Sequence, residues 1–191
     1  MLNEDDNHYD SVPAWDIDGF LPVIHPITLT PSPYKISSEQ LIAAMGTTLE
    51  RIRLLRGWLN LRRELYGIGL EDGWQWINGS FVENVEASQN RSPNDIDVVT
   101  FFYIPSNRVA ELAKQHRRLW LTQFTRVEFG VDAYYVDMEN LPFSEQRKRM
   151  EYWHTEWSHT RNAEEKGYLS VRLSSDDDRK ALEILNFKEV R

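Results

Sequence analysis

Cysteine is absent from this chain, which excludes disulfides, thiolate zinc sites and thiol nucleophiles. Any bound metal must then be held by oxygen or imidazole, and oxygen ligands favour hard cations such as magnesium. Long apolar runs are missing too: no stretch approaches the roughly 18 residues that a membrane span needs. The N-terminus is acidic and polar from Asn3 to Asp6 rather than basic and then apolar. A cytoplasmic protein with no membrane partner is expected. Positive charge is also in short supply, with 22 Lys and Arg against 30 Asp and Glu and a net charge of −8. Such a surface repels phosphate backbones, so nonspecific DNA binding is disfavoured and a nucleotide or another protein is the expected partner.

What the chain does contain suits one folded body. Its 191 residues are 41% apolar and 12% aromatic, enough for one substantial core. Five of the eight prolines (Pro13, Pro22, Pro26, Pro31, Pro33) fall within residues 1–36, where they block helix formation. Trp15, Phe20, Leu21, Val23 and Ile24 lie among them, so this stretch reads as an extended arm packed along the body, with disorder expected over Met1 to Asp10. Residues 37–191 read as a single domain.

Within that domain, Ser37 to Tyr66 has helical periodicity and predicts one short and one long helix, with Thr47 and Glu50 spaced as a capping box. Gly67 and Gly69 end the long helix. Trp74 to Ile77 then reads as a strand, Asp95 to Tyr103 as an apolar strand, Asn107 to Leu121 as a helix and Val127 to Val136 as another strand. The tail adds a polar helix from about Phe143 to Trp157, a strand at Tyr168 to Leu173 and a short helix after Ser174 to Asp178. There is no internal repeat. The sum is an α+β layer fold with one mixed sheet and flanking helices.

The chemistry concentrates in Trp74-Gln75-Trp76-Ile77-Asn78-Gly79-Ser80 and, after a polar loop, Asp95-Ile96-Asp97-Val98-Val99. Residues two apart on a strand face the same way, which sets Asp95 and Asp97 roughly 7 Å apart at Cα. Two carboxylates on one patch repel unless a cation neutralises them, and Mg2+ is commonly shared between one or two carboxylates and substrate phosphates. Gly79 and Ser80 can offer backbone N–H groups and a hydroxyl to a phosphate, particularly where Ser80 opens a helix. Asp132, inside the apolar run Val131 to Val136, supplies a third acid as metal ligand or general base. Asp137 competes for that role but sits on the opposite face of a regular strand and reads as the start of a turn.

A Gly-Ser pair followed by Asp-x-Asp and a later strand acid resembles the signature of the DNA polymerase beta-like nucleotidyltransferase superfamily, specifically its small minimal nucleotidyltransferases. The match covers about residues 70–137. The resemblance implies that Gly79 and Ser80 bind a nucleoside triphosphate, ATP being the expected one, and that Asp95 and Asp97, with Asp132, hold magnesium. It implies transfer of a nucleoside monophosphate to a hydroxyl acceptor, with a partner protein in a toxin–antitoxin or phage-defence setting among the acceptors. One departure stands out: the fourteen residues from Phe81 to Asn94 are more than many minimal members carry between these motifs.

Other residues have plainer readings. Glu83 and Glu86 read as solvated loop acids, and Arg51, Arg53, Arg56, Arg62 and Arg63 as the polar face of an amphipathic helix. Arg161 and Lys166 are candidates to clamp a triphosphate. His154 and His159 are five apart, which is wrong for a pair of metal ligands on one helix face. Trp74 or Trp153 is placed to stack on a base. Two other functional classes fit the same features: a noncatalytic nucleotide-binding or protein-interaction module, and a hydrolase that positions water.

Overall fold

A computed structural model describes residues 9–189. Among the described residues five strands form one mixed sheet, one more than the four expected, because the end of the proline-rich arm joins it as an edge strand. They are β1 (Tyr34–Ile36), β2 (Gly73–Asn78), β3 (Ile96–Phe102), β4 (Val131–Asp137) and β5 (Leu169–Arg172), in the order β1-β5-β2-β3-β4. The pairs β2–β3 and β2–β5 are antiparallel, whereas β3–β4 and β1–β5 are parallel. Seven α-helices are present among the described residues: α1 (Ser38–Met45), α2 (Leu49–Gly67), α3 (Val85–Gln89), α4 (Ser106–Gln115), α5 (Thr122–Phe129), α6 (Phe143–Trp157) and α7 (Ser175–Glu189). None of them is long and apolar enough to cross a membrane.

Strand alternation divides the apolar residues between two layers. Ile77, Val98, Ala133, Leu169 and Val171 point into the larger core, which also takes Trp58 and Leu55 of α2, Leu41 and Ile42 of α1, and Ala181 and Leu185 of α7. Trp76, Val99, Phe101 and Val136 face the other way and meet Trp157, Met150 and Trp153 of α6. The sheet is thus covered on both faces, and its two faces carry different cargo. Aromatic rings dominate the α6 side, where Trp76 packs edge-on against both Phe101 and Tyr168.

Several expectations need correction. The capping box belongs to α1, where Ser37 accepts from the Gln40 backbone and Gln40 returns the bond, while α2 is capped by Thr48 alone. Val127 to Phe129 is the end of α5 rather than the start of a strand: Gly130, at φ 68°, closes that helix in the left-handed conformation and β4 begins after it. Asn107 to Leu121 is interrupted, because α4 stops at Gln115 and a 3-10 turn follows over Arg117–Trp120. The final helix is 15 residues long, not short.

Two arginines assigned to a polar helix face are fully buried instead, at 0% exposure for both Arg51 and Arg62. The proline-rich stretch ends as strand β1 and is tied down along its length, with Trp15 donating to the Val82 carbonyl at 2.7 Å and Asp10 bonded to the Lys35 backbone. Of the segment expected to be disordered, Met1 to His8 lie outside the described residues.

Candidate functional site

Ladder register brings three polar residues onto one row. Asn78, the last residue of β2, pairs with Asp97 on β3, and Asp97 pairs with Asp132 on β4. Directly opposed residues share a face, so all three project on the α6 side, at the end where β3 and β4 begin. The next rows inward on that face are Trp76, Val99 and Tyr134, then Trp74, Phe101 and Val136. The polar row therefore caps an aromatic surface.

Asp95, one residue ahead of β3, joins the row through Arg126 of α5. The Arg126 Nη2 lies 2.6 Å from Asp95 Oδ2 and 3.1 Å from Asp132 Oδ2. Asp97 has no such ion pair. Burial first, then the charges of Asp95 and Asp132, push its carboxyl up to about 6. Burial also raises Asp132, against the pull of Arg126 and of a hydrogen bond from Tyr134. The three acids expected from the sequence thus converge into one electrostatically coupled group. Among the described residues no three acid or imidazole side chains stand in closed metal-ligand geometry, and the Arg126 guanidinium bonds to both Asp95 and Asp132.

Gly79 and Ser80 lie directly against this group. Gly79 has φ +75°, and a Cβ there would meet Asp97 Oδ2 at 1.7 Å. The glycine is therefore needed for the carboxylate that rests on it as well as for its backbone conformation. Ser80 falls within a four-residue 3-10 turn, Gly79–Val82, rather than opening a long helix, so little helix dipole is available to an anion here. Arg51 fixes the following segment, donating to the carbonyls of Phe81 and Glu83 and pairing with both oxygens of Glu86. Glu83 is likewise committed: it forms a buried ion pair with Lys166, whose Nζ also lies 3.4 Å from the Gly79 carbonyl. Neither Glu83 nor Glu86 is a free loop acid.

Lys166 is thus beside the site, bracing the turn and lowering the Asp97 carboxyl. Arg161 is exposed in the loop before it. Asp137 accepts from the Asn140 backbone and begins a turn, as expected. His154 bonds the Tyr168 hydroxyl at 2.8 Å. Trp153 packs on Tyr134 and on Trp157, forming an aromatic wall next to the acids, while Trp74 stacks on Phe101 toward the other end of the face. That other end opens into a cavity of about 890 Å³ bordered by Trp74, Tyr103, Met150 and Arg172.

Asn78, Arg126 and Tyr134 are site residues that sequence reasoning missed. Tyr134 was legible from its two-residue spacing after Asp132. Arg126 was not, because it fell between the helix expected to end at Leu121 and the strand expected to begin at Val127.

The residues present fit a hard divalent cation on one structural observation. Asp132 Oδ1 and Asn78 Oδ1 are both buried without a hydrogen-bond partner among the described residues. Such orphaned acceptors are costly unless something outside the chain satisfies them. They sit on the same polar row as Asp97, and an all-oxygen set of this kind suits magnesium.

Residues 13–172 match the model of a family described as of unknown function, DUF6932. No curated protein and no solved structure gives a match.

Proposed function

The chain belongs to this family of unknown function, and we propose that it is a metal-dependent nucleotidyltransferase that moves a nucleoside monophosphate from a nucleoside triphosphate, ATP in the first instance, to a hydroxyl acceptor. One observation carries the reading: a row of Asn78, Asp97 and Asp132 with two orphaned buried oxygens, set against a Gly79–Ser80 turn and completed by Asp95. A polymerase beta-like arrangement is supported by the order of parts. The Gly-Ser turn ends one strand, the paired acids begin its antiparallel neighbour, and the third acid lies on the strand beyond.

Asp95, Asp97 and Asp132 would hold the magnesium ion, which supplies neutralisation of charge on the reacting phosphate and the leaving pyrophosphate. The chain's own groups do the rest. The Ser80 hydroxyl and the backbone N–H groups of the turn donate to the triphosphate and orient it, as tightly placed donors do in phosphoryl transfer. Asp132, with Oδ1 unbonded, accepts the proton of the attacking hydroxyl. A bond forms between the acceptor oxygen and the α-phosphorus, the bond to the bridging oxygen breaks, and pyrophosphate departs. Trp153 and Tyr134 offer an aromatic surface for the base. A partner protein, in a toxin–antitoxin or phage-defence setting, is among the acceptors that the resemblance to minimal nucleotidyltransferases implies.

A second reading has its own observation. Arg126 bridging Asp95 and Asp132 is the arrangement expected of a noncatalytic nucleotide-binding or interaction module in which an internal cation has replaced the metal. Calorimetric titration of each nucleoside triphosphate with Mg2+ into the wild-type protein and an Asp95→Ala/Asp97→Ala variant separates the two. Metal-dependent binding that disappears in the variant is expected. Folded wild-type protein that binds no nucleotide would overturn the transferase reading in favour of the module.

A further inference from the structure

We propose that Arg126 is the resident counter-cation of the acidic row: it holds the position a divalent cation takes between Asp95 and Asp132, yields it when that cation binds, and then engages the anionic substrate. The inference rests on the transferase reading above and assigns to it a residue that the sequence motif does not contain.

Geometry supplies the first part of the argument. A single nitrogen, Arg126 Nη2, contacts one oxygen from each of two carboxylates. That is the bridging position of a metal ion, filled by a donor with one positive charge. The match is incomplete in ways a divalent ion would repair. Asp97 receives no bond from Arg126, and among the described residues neither Asp132 Oδ1 nor Asn78 Oδ1 has a hydrogen-bond partner. A guanidinium offers donors in one plane, whereas magnesium gathers oxygen ligands from several directions and carries twice the charge.

Mobility supplies the second part. The Arg126 side chain is 54% exposed, in contrast to Arg51 and Arg62 at 0%, and among the described residues its hydrogen bonds are to these carboxylates alone. It can turn away without opening a cavity. The helix beneath it stays in place. Gly57 of α2 lets the α5 terminus approach so closely that a Cβ would meet the Phe129 carbonyl at 1.8 Å. Thr122 Oγ1 donates to the Ala133 carbonyl on β4, and Thr125 is fully buried. Only the side chain moves, on an anchored backbone.

Electrostatics supplies the third. A divalent ion seated among the carboxylates repels the guanidinium from the position it held. The displaced group remains tethered beside the site, where the strongest new partner is a phosphate oxygen, which Arg binds through charge-assisted and often bidentate hydrogen bonds. The same residue therefore opposes the cation and favours the nucleotide, two effects of opposite sign.

The test uses the full chain as wild type, Arg126→Ala and Arg126→Gln, with circular dichroism to confirm folding. Free Mn2+ is counted by electron paramagnetic resonance during titration without nucleotide, and ATP binding is then measured calorimetrically at saturating Mn2+. Both variants are expected to bind Mn2+ about threefold to tenfold more tightly than wild type, and to bind ATP about tenfold or more weakly once the metal is present. Unchanged or weaker Mn2+ affinity in both variants overturns the counter-cation role, and unchanged ATP affinity overturns the delivery to substrate. Failure of all three proteins to bind Mn2+ is a different pattern, which removes the metal site and the transferase reading with it.

Discussion

Arg62 and Arg126 each face acids, but one cluster is closed and the other open. Arg62 is fully buried. Its guanidinium reaches both oxygens of Asp178, the Gln75 side chain and the Arg172 carbonyl, and Asp178 also receives the hydroxyls of Ser38 and Tyr66. Every oxygen there has a partner and the cluster ties α1, α2, α7 and the sheet together. At the Arg126 cluster two acids share one half-exposed cation, the third titrates near 6, and two buried oxygens go unbonded among the described residues. Both contain strong ion pairs, so an ion pair by itself does not distinguish architecture from function. What distinguishes them is whether the hydrogen-bonding capacity is used up.

The comparison can be broken most forcefully at Arg62. Arg62→Ala leaves Asp178 buried and unpaired and should lower unfolding free energy by about 3–5 kcal/mol, read from urea denaturation. A loss below about 1 kcal/mol would mean the closed cluster is not structural. At the open cluster, Gly79→Ala forces a methyl group into Asp97 and a side chain into left-handed backbone, and should cost on the order of 2–3 kcal/mol together with nucleotide binding. Replacement by serine should fare no better.

Asp97→Asn should go the other way. The folded carboxyl titrates near 6, above its unfolded value, so its ionisation opposes folding. The wild-type protein without metal is therefore free of this penalty below about pH 4, accumulates it as pH rises toward 6, and carries it fully above that. The asparagine variant should be more stable than wild type by about 3 kcal/mol at pH 7 in chelator, with the advantage vanishing near pH 4. Stability unchanged at pH 7 would show that the acids are already neutralised within the chain. Smallest of all, Arg126→Ala should alter stability by less than about 1 kcal/mol, because the guanidinium is itself half exposed and solvent screens it, although the carboxylates it faces are largely buried. A large loss there would place Arg126 with Arg62 on the structural side.

Much of this arrangement was legible in the sequence, and the failures have physical causes. The strands with alternating or continuous apolar character, β2, β3 and β5, stand within a residue or two of their expected bounds, as does α6. Asp95 and Asp97 were singled out by strand spacing, although Asp95 lies one residue ahead of β3, and Asp132 as an acid inside the apolar run of another strand. Register was not readable, so nothing indicated that Asn78 would lie opposite Asp97. The arginines on α2 were indistinguishable by pattern from surface charges. Arg51 and Arg62 occur where helical periodicity turns inward, but only tertiary partners from the Phe81–Glu86 segment and α7 make their burial tolerable. Arg126 was hidden because the strand was drawn from Val127, which concealed the helix that ends at Gly130.

Since the hydrogen of Gly79 lies beneath the Asp97 carboxylate, the turn and the acid constrain each other unequally. Asp97 can be exchanged without relieving Gly79, whose φ of +75° favours glycine whatever stands at 97. The acid, by contrast, keeps its seat only over a residue with no side chain. Loss of the carboxylate therefore leaves the turn behind as its footprint, whereas loss of the glycine removes the seat and the acid's position together.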